Sequence, residues 1–483
     1  MILSSEEMKR LEEAAFASGS SAETLMEEAG RRIAETVRQF FHAPGRAIVF
    51  FGKGHNGGDA LAAARHLADA GWGIGLRQAS EELSELTRLQ LNRLGSRGAG
   101  HGNAVVLDGL LGIGAKGPLR DPIRQLAREI NGLRQRWGAA VFAIDIPTGL
   151  DGDTGEADAD CVVADFTLTV GFCKKGLVHD EATNFVGRLA VLPLAALTGQ
   201  TFAAGDDSEP ATPAGLAALL PPRKFESNKG DYGRVGIIAG SRGFVGAALL
   251  ASEGAVRAGA GLVTLYVTED IYAIAAGAAS LSVMVQPVSS YREILEKKHD
   301  ALGIGPGLGK SRNEEILGIV KEVPIPAVVD ADALNIISSR LHVINSFRGP
   351  RLFTPHPGEM RRLYSMGDLP RADVVRAFTG EFAVTLLLKG SRTLVGEQGR
   401  PLSYNTTGTP GMATGGMGDV LTGVCAALAG QGLALYDAAR LGAWVCGRAS
   451  EIAIYNGAQS EQSLAAADLF ETLGLAFREL RGE

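Results

Sequence analysis

Two glycine-rich loops hold the residue types and spacings in this 483-residue chain that could do phosphate or nucleotide chemistry. After the apolar run RAIVFFG (46–52) comes GKGHNGGDA, where Gly52, Gly54 and Gly57 satisfy GxGxxG between an expected strand and a helix starting near Asp59. Glycines at such a turn let backbone amides approach a pyrophosphate, and the helix start turns its positive end to the anion. No acidic residue follows at the distance that would hold a ribose, because the next strand ends in Arg77 and Gln78. The second loop, GTPGMATGGMGD (408–419), sets Gly415, Gly416 and Gly418 before the apolar helix VLTGVCAALAG. Unhindered amides there could stabilise a transferring phosphoryl group, with Asp419 taking a proton from an attacking hydroxyl; read alone, Asp419 is equally a helix cap. A third run, GIGPGLGKS (303–311), imitates a P-loop, but the pattern needs glycine at 304, where Ile304 stands, and Pro306 removes a donor amide.

The elements that must position these loops alternate. An amphipathic helical segment with Met8, Leu11, Ala15, Leu25, Met26, Ile33 and Val37 leads into strands at RAIVFFG, WGIGLRQ, AVVLDGLLG, AAVFAIDIP, FTLTVG and GRLAVLPL, with the helix GDALAAARHLADAG between the first two. Residues 197–214, LTGQTFAAGDDSEPATPA, are small, polar and aperiodic, and read as a linker. The alternation then restarts with RVGIIAGS, VGAALLASEGAVRAG, GLVTLYV, DALGIG, IPAVVDADAL, RLFTPHPGEM, AVTLLLKG and TLVGEQG, and three helices close the chain. Strand–helix alternation implies parallel sheets covered on both faces, hence two α/β domains, 1–200 and 212–483.

Composition narrows the function classes. Lys and Arg number 47 against 54 Asp and Glu, a net charge of −7 that offers nothing to a polyphosphate backbone, so no nucleic-acid partner is expected. Cys161, Cys173, Cys425 and Cys446 are scattered without a CxxC pair, which argues against a disulfide scaffold or zinc site and for a reducing compartment. No long apolar run or basic leader is present, so a cytoplasmic protein without a membrane partner is expected. The 64 glycines, nearly twice the usual share of about 7%, fall at strand ends without a three-residue period.

HNGGD, DGLLGIG (108–114), DIPTGLDGDTG (145–155) and ADFTLTVGFCKKG (164–176), each at an expected strand end, together resemble the YjeF N-terminal family of NAD(P)H-hydrate epimerases. The resemblance implies that Asn56, Asp108 and Thr148 bind K+, supplying hard oxygen ligands. It implies contact with the hydrated dinucleotide by His55, Asn56, Gly57, Gly58 and Asp59, and by the loop Gly112, Ile113, Gly114, Ala115, Lys116, Gly117 and Pro118. Asp145 falls on the acid–base position, with Lys174 as its partner. The sequence departs from the family at His55 (usually Asn), Ala60 (usually Gly) and Glu28 (usually Asn).

KGDYGRVGIIAGSRGFVGAALLA, GIGPGLG, DADALN, TPHPGEM, LLLKGSRT and GTPGMATGGMGDVLTG resemble the YjeF C-terminal family, the ribokinase-like NAD(P)H-hydrate dehydratases, with Asn228 where the family commonly has His. Here the resemblance implies that Ala247, Gly307, His356 and Asp419 contact the hydrated cofactor, and that Lys389, Gly390, Ser391, Arg392, Thr393 and Gly418 form the adenine-nucleotide site. The implied architecture is α/β with an N-terminal Rossmann-like parallel αβα sandwich and a C-terminal ribokinase-like αβα domain. The implied activity repairs hydrated NADH and NADPH: the first domain interconverts the R and S hydrates, and the second phosphorylates the C6 hydroxyl of the S hydrate and eliminates phosphate. ADP would be the co-substrate, giving AMP and phosphate, with Mg2+ neutralising phosphoryl charge. The sequence does not choose between ADP and ATP or between NADHX and NADPHX, and a homo-oligomer is compatible with it. Two competing readings are an NAD(P)-dependent oxidoreductase fused to a ribokinase-like small-molecule kinase, and an N-terminal half reduced to a binding module.

Overall fold

The six strands expected between residues 46 and 192 form one all-parallel sheet, in the spatial order Gly73–Gln78, Arg46–Phe51, Ala104–Gly109, Ala140–Ile144, Phe166–Val170, Arg188–Leu192. The computed structural model describes residues 1–95, 98, 102–199, 207–220 and 223–482. Apolar residues on both faces of Arg46–Phe51 suit a strand buried between helices. Ile48, Phe50, Val106, Val141 and Ala143 face the helix Ile123–Trp137 through Ala127 and Ile130. The helices Ala22–Phe40 and His55–Asp69 pack together, Gly30 lying so close to Ala62 that an added Cβ would sit 2.4 Å from the alanine Cβ.

Two local readings change. The leading helical segment is two helices, Ser5–Ala17 and Ala22–Phe40, because Gly19 takes a left-handed turn (φ 95°) and Ser21 caps the second by accepting the Thr24 N–H. The helix after the first glycine loop begins at His55, not near Asp59, so Gly57 and Gly58 are buried in its first turn. A Cβ on Gly57 would meet Gly52 O at 2.2 Å and one on Gly58 would meet Met26 Cε at 2.4 Å, so these glycines serve close packing.

The chain divides into two units, Met1–Pro210 and Ala211–Glu483. Residues 200–206 of the expected linker lie outside the described residues, but Ser208–Ala211 is a strand at the edge of the second sheet and Pro213–Ala217 a helix, so the expected structureless stretch is shorter. The second sheet has ten strands. Its parallel part runs Val283–Val288, Leu262–Thr268, Arg234–Ile238, Ala301–Ile304, Ala327–Val329, Arg351–Phe353, Thr385–Leu388, and it continues antiparallel through Leu394–Gly396 and Leu402–Asn405. The helices Val245–Arg257, Met417–Gly430, Leu435–Glu451 and Leu469–Arg481 build one core against it.

Both sheets reverse winding beside their first parallel strand. Arg46–Phe51 lies between the second and third strands of its unit, and Arg234–Ile238 between Leu262–Thr268 and Ala301–Ile304. Connections leave such a point in opposite directions and open a crevice at the carboxyl ends of the strands, where open α/β sheets bind ligands.

Candidate functional site

The first crevice collects the loop after Arg46–Phe51 and the loop after Ala104–Gly109. Asn56, in the first turn of its helix, donates Nδ2 to Leu111 O at 2.7 Å and ties the loops together. Asp108, last but one in its strand, is fully buried; Oδ1 accepts the Thr148 hydroxyl at 2.7 Å and Oδ2 the Thr148 N–H at 2.8 Å. Burial pushes its carboxyl up to about 6 against these bonds. Thr148 Oγ1 accepts the Leu111 N–H at 3.2 Å, so Asn56, Asp108 and Thr148 are brought into one network. Among the described residues Asn56 Oδ1 is buried without a donor.

Asp145 follows the strand Ala140–Ile144 with φ 68°, an uncommon conformation for a residue with a side chain, and such strain concentrates at functional positions. Its Oδ1 accepts the Lys174 ammonium and the Val170 N–H, the latter at 3.2 Å. Lys174, 1% exposed, also donates to Val170 O at 2.7 Å and Thr169 Oγ1 at 3.1 Å, a full set for a buried ammonium. A two-stranded parallel pairing of Ile2–Leu3 with Cys173–Lys174 fixes that residue. Asp145 Oδ2 makes no hydrogen bond among the described residues; it lies 3.8 Å from a Cβ built on Gly112, and that Cβ would be 3.3 Å from Asn56 Cβ. Asp145, Lys174, Asn56 and Gly112 thus share the crevice.

Asp59 stands one helical turn beyond Asn56. Burial and the carboxylates of Asp145 and Glu12 push its carboxyl well above the ordinary range, with Lys174 opposing. Glu12, from the first helix, is itself raised by burial, which the Lys174 ammonium opposes and the Asp145 carboxylate reinforces. Sequence reading passed over Glu12, since it sits within an ordinary amphipathic helix and reaches the crevice only through the fold. His55 is exposed. In the loop 112–118, Gly114, Lys116, Gly117 and Pro118 are exposed, whereas Ile113 packs against Met8, Leu11 and their neighbours. Gly112, Ala115, Lys116, Gly117 and Pro118 line a cavity of about 300 Å³ with Ile146, Pro147, Leu150 and Asp158.

The second crevice has a different charge pattern. Asp330, 1% exposed at the end of Ala327–Val329, accepts Lys389 Nζ at 2.8 Å on Oδ1 and the Thr422 hydroxyl at 2.8 Å on Oδ2. Lys389 also lies 4.0 Å from Glu359 Oε2, and a Cβ on Gly418 would sit 3.1 Å from its Nζ. The lysine therefore belongs to the carboxylate cluster, while Gly390, Ser391, Arg392 and Thr393 form the turn beyond it; Arg392 takes φ 51°, and Arg371 donates Nη2 to Ser391 O at 2.7 Å. The 14-residue helix Met417–Gly430 starts at Gly416 (φ 93°) with no side-chain cap, leaving its first amides for a ligand. Asp419 in its first turn is pushed up to about 7 by burial first and then by Asp330, with Lys389 opposing and Asp332 and Glu359 adding to the rise.

His356 caps the helix Pro357–Leu363: Nδ1 accepts the Gly358 N–H at 3.0 Å, so the neutral ring carries its proton on the exposed Nε2 side. Ala247 and Gly307 meet, a Cβ on Gly307 falling 3.1 Å from that of Ala247, and Ser241 Oγ bonds Gly307 O at 2.8 Å. Asp332 Oδ2 accepts the Gly309 N–H at 2.8 Å. Asp330, Asp332, Glu359 and Thr422 were not singled out from sequence, although the motifs DADALN and TPHPGEM contain three of them and an aspartate closing an apolar strand is a signal for the first.

Residues 22–176 match the family model described as YjeF-related protein N-terminus, and residues 235–473 the model described as NAD(P)H-hydrate dehydratase. The chain is 35% identical to the bifunctional NAD(P)H-hydrate repair enzyme Nnr of Moorella thermoacetica, covering 95% of this chain and 93% of that protein. It is 32% identical to the Escherichia coli enzyme of the same name over 95% of this chain and 90% of that one. A ribokinase-like superfamily protein of Enterococcus faecalis aligns with 59% of this chain and all of its own length (100%), at a TM-score of 0.50 and 23% identity, which shows the fold of the second unit. With both unit models matched in order and relatives aligned over nearly its whole length, the chain belongs to the family of bifunctional NAD(P)H-hydrate repair enzymes.

Proposed function

We propose that this chain repairs hydrated NADH and NADPH, its first unit interconverting the R and S hydrates and its second dehydrating the S hydrate at the expense of ADP. The observation that carries the reading is the pairing, at the carboxyl ends of the parallel strands in each unit, of an acid cluster with a lysine, buried for Lys174 and half-buried for Lys389, in a chain that aligns over nearly its whole length with bifunctional repair enzymes. An oxidoreductase reading has no such support, since the strand after the first glycine loop ends in Arg77 and Gln78 where a ribose-holding acid would stand, and Gly52, Gly57 and Gly58 pack against the fold.

In the first unit Lys174 holds Asp145 Oδ1 and leaves Oδ2 to exchange a proton with the C6 hydroxyl. Asp59, which keeps its proton to higher pH than an ordinary carboxyl, supplies a donor in the same crevice. The orphaned Asn56 Oδ1, the Asp108 carboxylate and Thr148 fit K+: all are hard oxygens, and a cation would offset the buried charge of Asp108. Bound there, K+ would supply a fixed positive charge under the loop 112–118.

In the second unit Asp419 takes the proton of the C6 hydroxyl as it attacks the nucleotide, and the free amides from Gly416 onward receive the phosphoryl group. Among the described residues no three acidic, His or Cys side chains form a metal-holding group of their own. The carboxylates Asp330 and Glu359 instead fit Mg2+ that arrives on nucleotide phosphates and needs only one or two protein oxygens. Mg2+ would supply neutralisation of phosphate charge.

Incubating the protein with an R/S mixture of hydrated NADH, ADP and Mg2+ should return all of it to NADH with equimolar AMP and phosphate. Replacing K+ by Li+ should slow recovery of the R fraction alone. Recovery confined to the S fraction in K+ would refute the epimerase, and no recovery would refute both activities.

A further inference from the structure

The loop that presents the anion-binding amides begins where the strand Leu402–Asn405 ends, and its first residues are fastened to the helix Leu435–Glu451. Thr407 Oγ1 donates to Trp444 O at 2.8 Å, and a Cβ on Gly447 would sit 2.3 Å from Thr407 Oγ1, so helix and loop backbone are in direct contact. At the last turn of the helix, Glu451 is completely buried. Its Oε1 accepts the Gly408 N–H at 2.8 Å and its Oε2 accepts Arg448 Nη1 at 3.0 Å. Arg448, 2% exposed, passes its Nε to Glu479 Oε2 at 2.8 Å. The chain then enters one turn of π-helix, Ile452–Asn456, a distortion found frequently at functional sites.

Stability alone is a poor reason for this arrangement. Removing two charges from water is costly, and apolar replacement of a buried pair is often neutral or stabilising. What the carboxylate does that an apolar side chain cannot is hold a backbone N–H by a charge-assisted bond. That N–H belongs to Gly408, eight positions before Gly416, at a glycine with φ 124° whose setting aims the rest of the loop.

We infer that Glu451, held by Arg448, is a positioning residue of the dehydratase: by fixing Gly408 it sets the loop that carries Gly415, Gly416 and Gly418 to the nucleotide. The inference rests on the dehydratase reading above. Neither residue touches the reacting atoms, so the effect belongs in nucleotide affinity and not in the pH dependence set by Asp419.

Two variants of the full chain test it. Arg448→Met with Glu451→Leu replaces the pair by apolar groups and leaves Gly408 without its acceptor, while Glu451→Gln keeps an acceptor without charge. The double variant should keep its urea midpoint and its KM for the S hydrate within twofold, and raise KM for ADP by about tenfold or more, the scale of a lost hydrogen bond to a charged group. Glu451→Gln should give a smaller rise. An unchanged KM for ADP in a folded variant overturns the inference. So does a parallel rise in both KM values with a lowered midpoint, or failure of both variants to fold, since either is what a purely structural pair would give. Wild-type chain unable to convert S hydrate with ADP would instead overturn the dehydratase reading, and this inference with it.

Discussion

Asp145 sits beside a buried lysine and Asp419 beside a half-buried one, yet the lysines are spent differently. Lys174 gives its proton donors to Asp145, Thr169 and Val170, whereas Lys389 pairs with Asp330 and leaves Asp419 to burial and three neighbouring carboxylates. Asp419 is therefore pushed up to about 7, against about 4 for an ordinary aspartate. A base works only when ionised, so kcat/KM for dehydration should fall as pH drops through about 7, with a limb that is absent when the S hydrate is assayed with Asp419→Asn, itself about 10²- to 10⁴-fold slower. A limb near 4 in the wild type would contradict the role. Motifs single out Asp145, Lys174 and Asp419 in the sequence because each falls in a run of distinctive neighbours, the first two near strand ends and the third at a helix start. Glu12 gave no such signal, since it occupies a polar face of a common helix, and Glu359, though within TPHPGEM, doubles as the capping-box partner of His356.

The central strands were readable as apolar runs bounded by glycine, while three edge or near-edge strands were not. Ser208–Ala211 and Val283–Val288 contain Pro210 and Pro287, and both lie at the edges of the ten-stranded sheet, where a missing N–H costs little and tertiary pairing overrides poor propensity. Leu402–Asn405 is polar in half its residues because Ser403 and Asn405 bond to helix Leu435–Glu451. A glycine pair governs the element that carries Asp419. The helices Val245–Arg257 and Met417–Gly430 cross so closely that a Cβ on Gly423 would lie 1.9 Å from Ala251 O, and one on Gly254 2.7 Å from Val420 O. Gly423→Ala should therefore lower stability by about 1–3 kcal/mol, read from the urea midpoint of the second unit, and slow dehydration while sparing epimerisation. An unchanged midpoint would show that the helices have room the structure does not display.

At the scale of the whole molecule, the glycine surplus and the doubled α/β pattern reflect one design used twice: a run of parallel strands whose winding reverses beside the first of them, with loops of small residues over the crevice. The division into two units was legible in the doubled strand–helix alternation. Where each helix begins was not, since the first glycine loop is consumed by packing from His55 onward. Joining the two activities in one chain lets the R hydrate reach a dehydratase specific for the S form. The most direct test supplies pure R hydrate of NADH with ADP, Mg2+ and K+ and follows NADH absorbance in wild type and in Asp145→Asn. The wild type should convert the whole sample at a rate set by the enzyme. Asp145→Asn should lag to the rate of uncatalysed R-to-S interconversion while still dehydrating S hydrate at the wild-type rate. Equal rates for the two proteins on R hydrate would contradict the account.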